Sequence, residues 1–229
     1  YPPAGVADYT VMLTLMALRK AKLVDIASSY QDFGLRGKIG RSLNTCTVGV
    51  VGTGAIGEAV CERLAGFGCR IVACDPYPKD RLRGRVEYLE LDELLACADV
   101  VTLHAPGLPE NEHMIGAEQF ARMKDGVVIV NAARGALIDT AALIDAGESG
   151  KVGAAALDTI EAEAGLYYLD RSRDVLPNRD RAILMSFPNV IVTPHMAFYT
   201  EEDVEHMMGS NVEALLAFDA GEESRFEVR

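Results

Sequence analysis

The chain has 229 residues, 49% of them hydrophobic and 24% charged, which suffices to fill the core of one large domain and excludes a disordered chain. Its net charge of −12 is spread along the sequence and repels nucleic acid and anionic membrane surfaces, so neither is expected as a partner. The five cysteines show no C-x-x-C spacing, so neither a disulfide framework nor a metal site is expected, and the cytoplasm is the expected compartment.

The sequence opens at Tyr1-Pro2-Pro3 without an initiator methionine and runs directly into an apolar segment, as expected of a fragment. The spacing of Val, Met, Leu and Ile predicts one long helix from Val6 to Ser28. Its uncharged run, Val11 to Leu18, is too short to span a bilayer. A polar connection through Gly34, Gly37 and Gly40 follows.

From there apolar, β-rich runs alternate with helical stretches. Strands are predicted at Thr47–Val51, Arg70–Cys74, Val100–Leu103, Val127–Val130, Gly153–Leu157 and Val190–Val192. That alternation predicts an α/β fold, a doubly wound parallel sheet with helices on both faces. The polar stretch from Glu161 to Pro188 reads as a long loop, a length that usually carries a task. A final amphipathic helix is predicted over Glu201–Ala220, with a frayed acidic tail after Gly221.

The first predicted strand leads into Gly52-Thr53-Gly54-Ala55-Ile56-Gly57 and then into a helical pattern. This strand–turn–helix context makes G-x-G-x-x-G a specific signal for a Rossmann-type dinucleotide site. Gly52 permits the tight turn, Gly54 the approach of a pyrophosphate, and Gly57 close packing of helix on strand. Asp75 ends the next strand, where a carboxylate accepts hydrogen bonds from ribose hydroxyls and repels a 2′-phosphate, so NAD is expected over NADP.

Three charged or titratable groups follow predicted strand ends, the place where open parallel sheets bind ligands: Arg134, Glu163 and His195. An arginine there can hold a carboxylate bidentately and polarise a neighbouring carbonyl, although a surface ion pair is the plainer reading of an isolated one. His195 can exchange a proton near neutral pH, and Glu163 is the carboxylate placed to orient it. His104 is placed to contact the cofactor, whereas His113 and His206 are assigned packing or solvent roles. Asp158 reads either as a contact to the nicotinamide carboxamide or as a helix cap.

Taken together, GTGAIG, Asp75, HAPGLPEN, NAARGALID, ALDTIEAE and TPHMAFYT resemble the D-isomer-specific 2-hydroxyacid dehydrogenases over nearly the whole chain, and most closely their D-lactate dehydrogenase-like branch. The resemblance implies NAD-dependent interconversion of 2-keto acids and D-2-hydroxy acids. It places substrate binding on Arg134, acid–base chemistry on His195 and its support on Glu163. It also implies cofactor contacts at Ala55, Ile56, Asp75, Ala105, Pro106, Asn111, Ala132, Ala133, Arg134 and Asp158, and a substrate pocket lined by Tyr1 and Phe198.

Ala55 stands where relatives often carry a basic or polar side chain, which implies a weaker hold on the cofactor phosphates. The family's substrate domain is built from an N-terminal portion that this chain lacks, together with a C-terminal helix. Residues 1–199 are therefore expected to form the NAD-binding domain and residues 200–229 to belong to the substrate domain. A homodimer is expected through the first helix and the segment after it. The alternatives are a non-catalytic NAD-sensing scaffold and a dehydrogenase of the glycerate or phosphoglycerate type; the insert with Tyr167 and Tyr168 argues against the latter.

Overall fold

The computed structural model describes residues 2–222. Tyr1 and the tail from residue 223 onward, on which two of the expectations above fall, lie outside the described residues.

The valine-rich runs form the centre of the molecule. Val48, Val50, Val100, Val101 and Val130 are completely buried, because helices cover both faces of the strands that carry them. Seven strands form one parallel sheet: β1 (Thr47–Val51), β2 (Arg70–Cys74), β3 (Glu87–Tyr88), β4 (Val100–Leu103), β5 (Val127–Asn131), β6 (Val152–Leu157) and β7 (Val190–Val192). Their spatial order is β3-β2-β1-β4-β5-β6-β7 with every neighbouring pair parallel, the topology of a Rossmann-type doubly wound sheet. The two-residue edge strand β3 has too little apolar sequence to be read as a strand in advance.

One face of the sheet is covered by α1 (Ala4–Leu18) and α3 (Ala55–Ala65), whose Leu13, Leu18, Val60 and Leu64 join one buried cluster. The other face is covered by α4 (Leu91–Cys97), α5 (Ala117–Arg122), α6 (Thr140–Glu148) and α7 (Arg179–Ser186), which contribute Leu94, Phe120, Leu143 and Leu184. The strand order reverses between β1 and β4, so their carboxyl ends splay apart and open a crevice.

The expected single N-terminal helix is instead two, α1 and α2 (Ala21–Ser29). Lys20 breaks it by adopting a left-handed conformation, φ 52°, while its ammonium donates to the Gly37 carbonyl. Lys22 donates to the carbonyls of Met185, Phe187 and Val190, which fixes α2 in a new direction. The stretch read as a long loop contains α7, begun by Asn178, whose side chain accepts from the Arg181 amide. The final helix, α8 (Glu201–Ala220), has the predicted bounds, with Thr200 as its N-cap.

Candidate active site

The first glycine loop is built by close contacts that only glycine allows. Gly52 has φ +90°, and a Cβ there would stand 2.8 Å from the His104 carbonyl carbon. A Cβ on Gly57 would stand 1.9 Å from the Gly52 oxygen, so α3 lies directly on the turn. Gly54 differs from both. A Cβ there would meet no atom within 4 Å, and the residue lines a cavity of about 370 Å³ at the β1/β4 crevice. The open space over Gly54, at the start of α3, fits the pyrophosphate of a dinucleotide.

Asp75, expected from the sequence to meet the adenosine ribose, accepts from the Thr53 amide at 2.5 Å and the Thr53 hydroxyl at 3.0 Å through one oxygen, and from the Tyr77 amide through the other. The carboxylate is thereby ordered beside the glycine loop. Glu58, buried in the first turns of α3, pairs with both Lys79 and Arg81, so the cluster beside the glycine loop keeps one net positive charge. Sequence reading did not find this cluster, because its members belong to different elements.

The same cavity is lined by Ile56, His104, Ala105, Pro106, Ala132, Ala133, Arg134, His195 and Phe198. His104 Nε2 lies 3.0 Å from the Thr102 hydroxyl, and burial pushes the ring's pKa down to about 4, which keeps it neutral at physiological pH. Asn111 donates to the Pro106 carbonyl at 2.9 Å and closes the loop after β4. Ala55 contributes no polar atom beyond its backbone.

Arg134 is exposed at the rim, with its stem across Gly107, where a Cβ would stand 2.8 Å from Arg134 Cγ. Its loop is shaped by buried Asn131, which accepts from the Ala133 amide and donates to the Arg134 carbonyl. Asn131 was not singled out from the sequence; a lone asparagine at a strand end gives no signal until its turn is seen.

His195 follows β7 and is itself left-handed, φ 56°. Its Nδ1 lies 2.8 Å from Glu163 Oε1, and the other Glu163 oxygen accepts from the Ile160 amide at 3.2 Å. The carboxylate therefore fixes the ring by one edge and leaves Nε2 for the cavity. The structure thus brings Arg134, His195 and Phe198 to one cavity, with Glu163 behind the histidine.

Asp158 is placed differently from either expectation. It is fully buried and absent from the cavity lining. Its carboxylate accepts from the Thr193 hydroxyl and from the Met196 and Ala197 amides, while its carbonyl accepts from the His195 amide. It is a clamp on the loop that carries His195, because four donors of that loop converge on the end of β6. His113, assigned no chemistry from the sequence, forms a second histidine–carboxylate pair, with Nε2 2.7 Å from Glu161 Oε1.

Residues 11–197 match the family model described as the D-isomer specific 2-hydroxyacid dehydrogenase NAD-binding domain. The chain is 45% identical over 219 residues to a D-specific alpha-keto acid dehydrogenase of Enterococcus faecalis, covering 96% of this chain and 67% of that protein. It is 43% identical to an aromatic 2-oxoacid reductase of Clostridium sporogenes, covering 96% of this chain and 66% of that one. A crystal structure of a D-lactate dehydrogenase from Treponema pallidum superposes with a TM-score of 0.94 at 35% identity, over 100% of this chain and 70% of that one. The chain thus spans about two thirds of the length of these relatives.

Proposed function

Because this chain belongs to the D-isomer-specific 2-hydroxyacid dehydrogenases and carries their NAD-binding domain, we propose that the protein reduces 2-keto acids to D-2-hydroxy acids, with His195, Glu163 and Arg134 as its working side chains. The observation that carries this reading is the 2.8 Å contact between His195 Nδ1 and Glu163 at the wall of a cavity that Arg134 also lines.

Bound NADH supplies the hydride. His195 holds the proton for the substrate oxygen on Nε2, and Glu163 stabilises the imidazolium through Nδ1. The Arg134 guanidinium binds the substrate carboxylate and draws electron density from the adjacent carbonyl. The segments after β1, β2, β4 and β5 would hold the cofactor through Gly52, Gly54, Ala55, Ile56, Gly57, Asp75, His104, Ala105, Pro106, Asn111, Ala132 and Ala133. The apolar wall at Phe198 suits a 2-keto acid with an apolar side chain.

Residues 1–199 form the dinucleotide-binding part, and α8 opens the contribution of the C-terminal residues to a second domain. Met208, Val212, Leu215, Leu216 and Phe218 of α8 are all more than half exposed, an apolar face suited to such a domain. Tyr30, Phe33, Leu35 and Ile39 form a similarly bare surface after α2, which supports a homodimer. The five free cysteines are consistent with the cytoplasm, and no described helix is long and apolar enough to cross a membrane.

The test follows NADH absorbance with a panel of 2-keto acids, using this chain and a chain extended to the length of its relatives. Turnover that His195→Ala abolishes while NADH binding persists is the expected result. NADH binding with no turnover in either chain would overturn the reading in favour of a scaffold.

A further inference from the structure

Adjacent tyrosines after Glu163 have opposite fates. Tyr167 is 9% exposed and packs in the core, whereas Tyr168 is 64% exposed. Tyr168 also has a left-handed backbone, φ 65°, a conformation that L-residues other than Asn and Asp rarely adopt and that costs on the order of 1 kcal/mol or more.

The conformation aims Tyr168 at His195. Its hydroxyl donates to the His195 carbonyl at 2.9 Å. Its ring centroid lies 6.2 Å from that of His195 and 6.1 Å from that of Phe198, and the His195 and Phe198 rings are 6.2 Å apart. The three rings therefore form a near-equilateral triangle at distances where tilted and edge-on aromatic pairs attract. Tyr168 lines the neighbouring cavity with Pro194 and Met196.

His195 needs such a support. Its own left-handed backbone is held at the amide, which donates to Asp158 O at 2.8 Å. Fixing the carbonyl as well determines the peptide on the other side and hence the direction in which the ring leaves the chain. We infer that Tyr168 is a positioning residue, which holds the His195 backbone and ring so that Nδ1 stays on Glu163 and Nε2 stays in the cavity. This inference rests on the acid–base role proposed for His195, and deepens it.

Nuclear magnetic resonance of the 229-residue chain tests it without turnover. The Nδ1–H proton of His195 is assigned by its loss in His195→Gln, which is practical in a chain with four histidines. In Tyr168→Ala its solvent exchange should quicken by about tenfold, in Tyr168→Phe by less because the ring is kept, and the His113 ring proton on Glu161 should be unchanged in both. Exchange at the wild-type rate in Tyr168→Ala, with the His113 signal intact, overturns the inference. Should that variant fail to fold, Tyr168→Leu is read by the same criteria.

In a chain extended to the length of its relatives, Tyr168→Ala should lower kcat about tenfold and leave the KM for NADH unchanged. Absence of turnover in the wild type as well would refute the proposed reaction and leave the exchange result standing.

Discussion

Glu161 and Glu163 stand two residues apart in one turn, yet each binds a different histidine: Glu161 Oε1 is 2.7 Å from His113 Nε2, and Glu163 Oε1 is 2.8 Å from His195 Nδ1. Ala162 between them is left-handed, φ 54°, which sends the two carboxylates in different directions. Glu163 meets the histidine at the cavity. Glu161 ties the loop after β4 to the start of α6, because its other oxygen accepts from the Thr140 amide at 2.9 Å.

The two glutamates should therefore separate function from stability. Glu163→Gln in a turnover-competent protein is expected to lower kcat/KM by about tenfold or more, because an amide stabilises imidazolium poorly. Glu161→Gln should leave turnover within about twofold and lower the melting temperature by a few degrees. Steady-state kinetics and thermal unfolding of both variants decide it, and equal kinetic losses would show that the turn acts as a unit.

The His113 pair makes part of the stability pH-dependent. The hydrogen bond to Glu161 raises the His113 pKa against the opposing effect of burial, with the negative charges of Glu161, Asp139 and Glu112 adding to the rise. Burial acts to raise the Glu161 pKa, but hydrogen bonds from Thr140 and His113 outweigh it and the net shift is downward. A raised histidine value stabilises the fold below the unfolded value and loses that effect as pH rises through the folded one. A lowered glutamate value stabilises above its unfolded value and loses that effect on acidification. The melting-temperature gap between wild type and His113→Gln should thus be largest near pH ~5–6 and smaller on the alkaline side of the raised histidine value. A gap of equal size at both would refute the pair's contribution.

His104 should act in the opposite sense. Burial holds its folded pKa at about 4, against an unfolded value of about 6.5. As pH falls between these values the unfolded chain takes up a proton that the folded chain refuses, so stability declines. Urea unfolding at pH 7 and pH 5 should show a smaller loss for His104→Gln than for the wild type. Identical losses would mean that His104 becomes charged within the fold.

The sheet was legible because its strands are buried on both faces and stand out as continuous valine-rich runs bounded by polar turns. The glycine loop was legible because G-x-G-x-x-G follows a strand and opens a helix; two of its glycines, Gly52 and Gly57, sit where a Cβ would strike backbone. The break at Lys20 was not, since no glycine or proline marks it; it is fixed by tertiary bonds from Lys20 and Lys22 to residues far along the chain. Asp158 shows the same limit within the site. A carboxylate at a strand end announces a ligand or a cap, and only the folded loop reveals that it accepts from Thr193, Met196 and Ala197.

That convergence on Asp158 predicts a specific loss. In Asp158→Asn one oxygen is replaced by an NH2 group that faces amide or hydroxyl donors in a fully buried site. Leaving one such donor unsatisfied costs about 1–3 kcal/mol. Urea unfolding should show a loss of that size, and the Met196 and Ala197 amides should exchange faster, because their acceptor is the Asp158 carboxylate. Unchanged stability would mean that the clamp contributes nothing net.

The glycine loop offers the sharpest separation of binding from folding. Gly57→Ala sets a methyl 1.9 Å from a backbone oxygen that no side-chain rotation can move, so α3 must shift at a cost of about 1–3 kcal/mol. Gly54→Ala sets its methyl in open space, with φ −58° and ψ −162° at the edge of the extended region; its stability loss should be smaller than that of Gly57→Ala. The same methyl would stand where the pyrophosphate approaches, so NADH affinity should fall about tenfold or more. NADH fluorescence titration beside urea unfolding distinguishes the two variants. Wild-type NADH affinity in Gly54→Ala would show that the cofactor phosphates lie elsewhere, and the cavity at the β1/β4 crevice would lose its assignment.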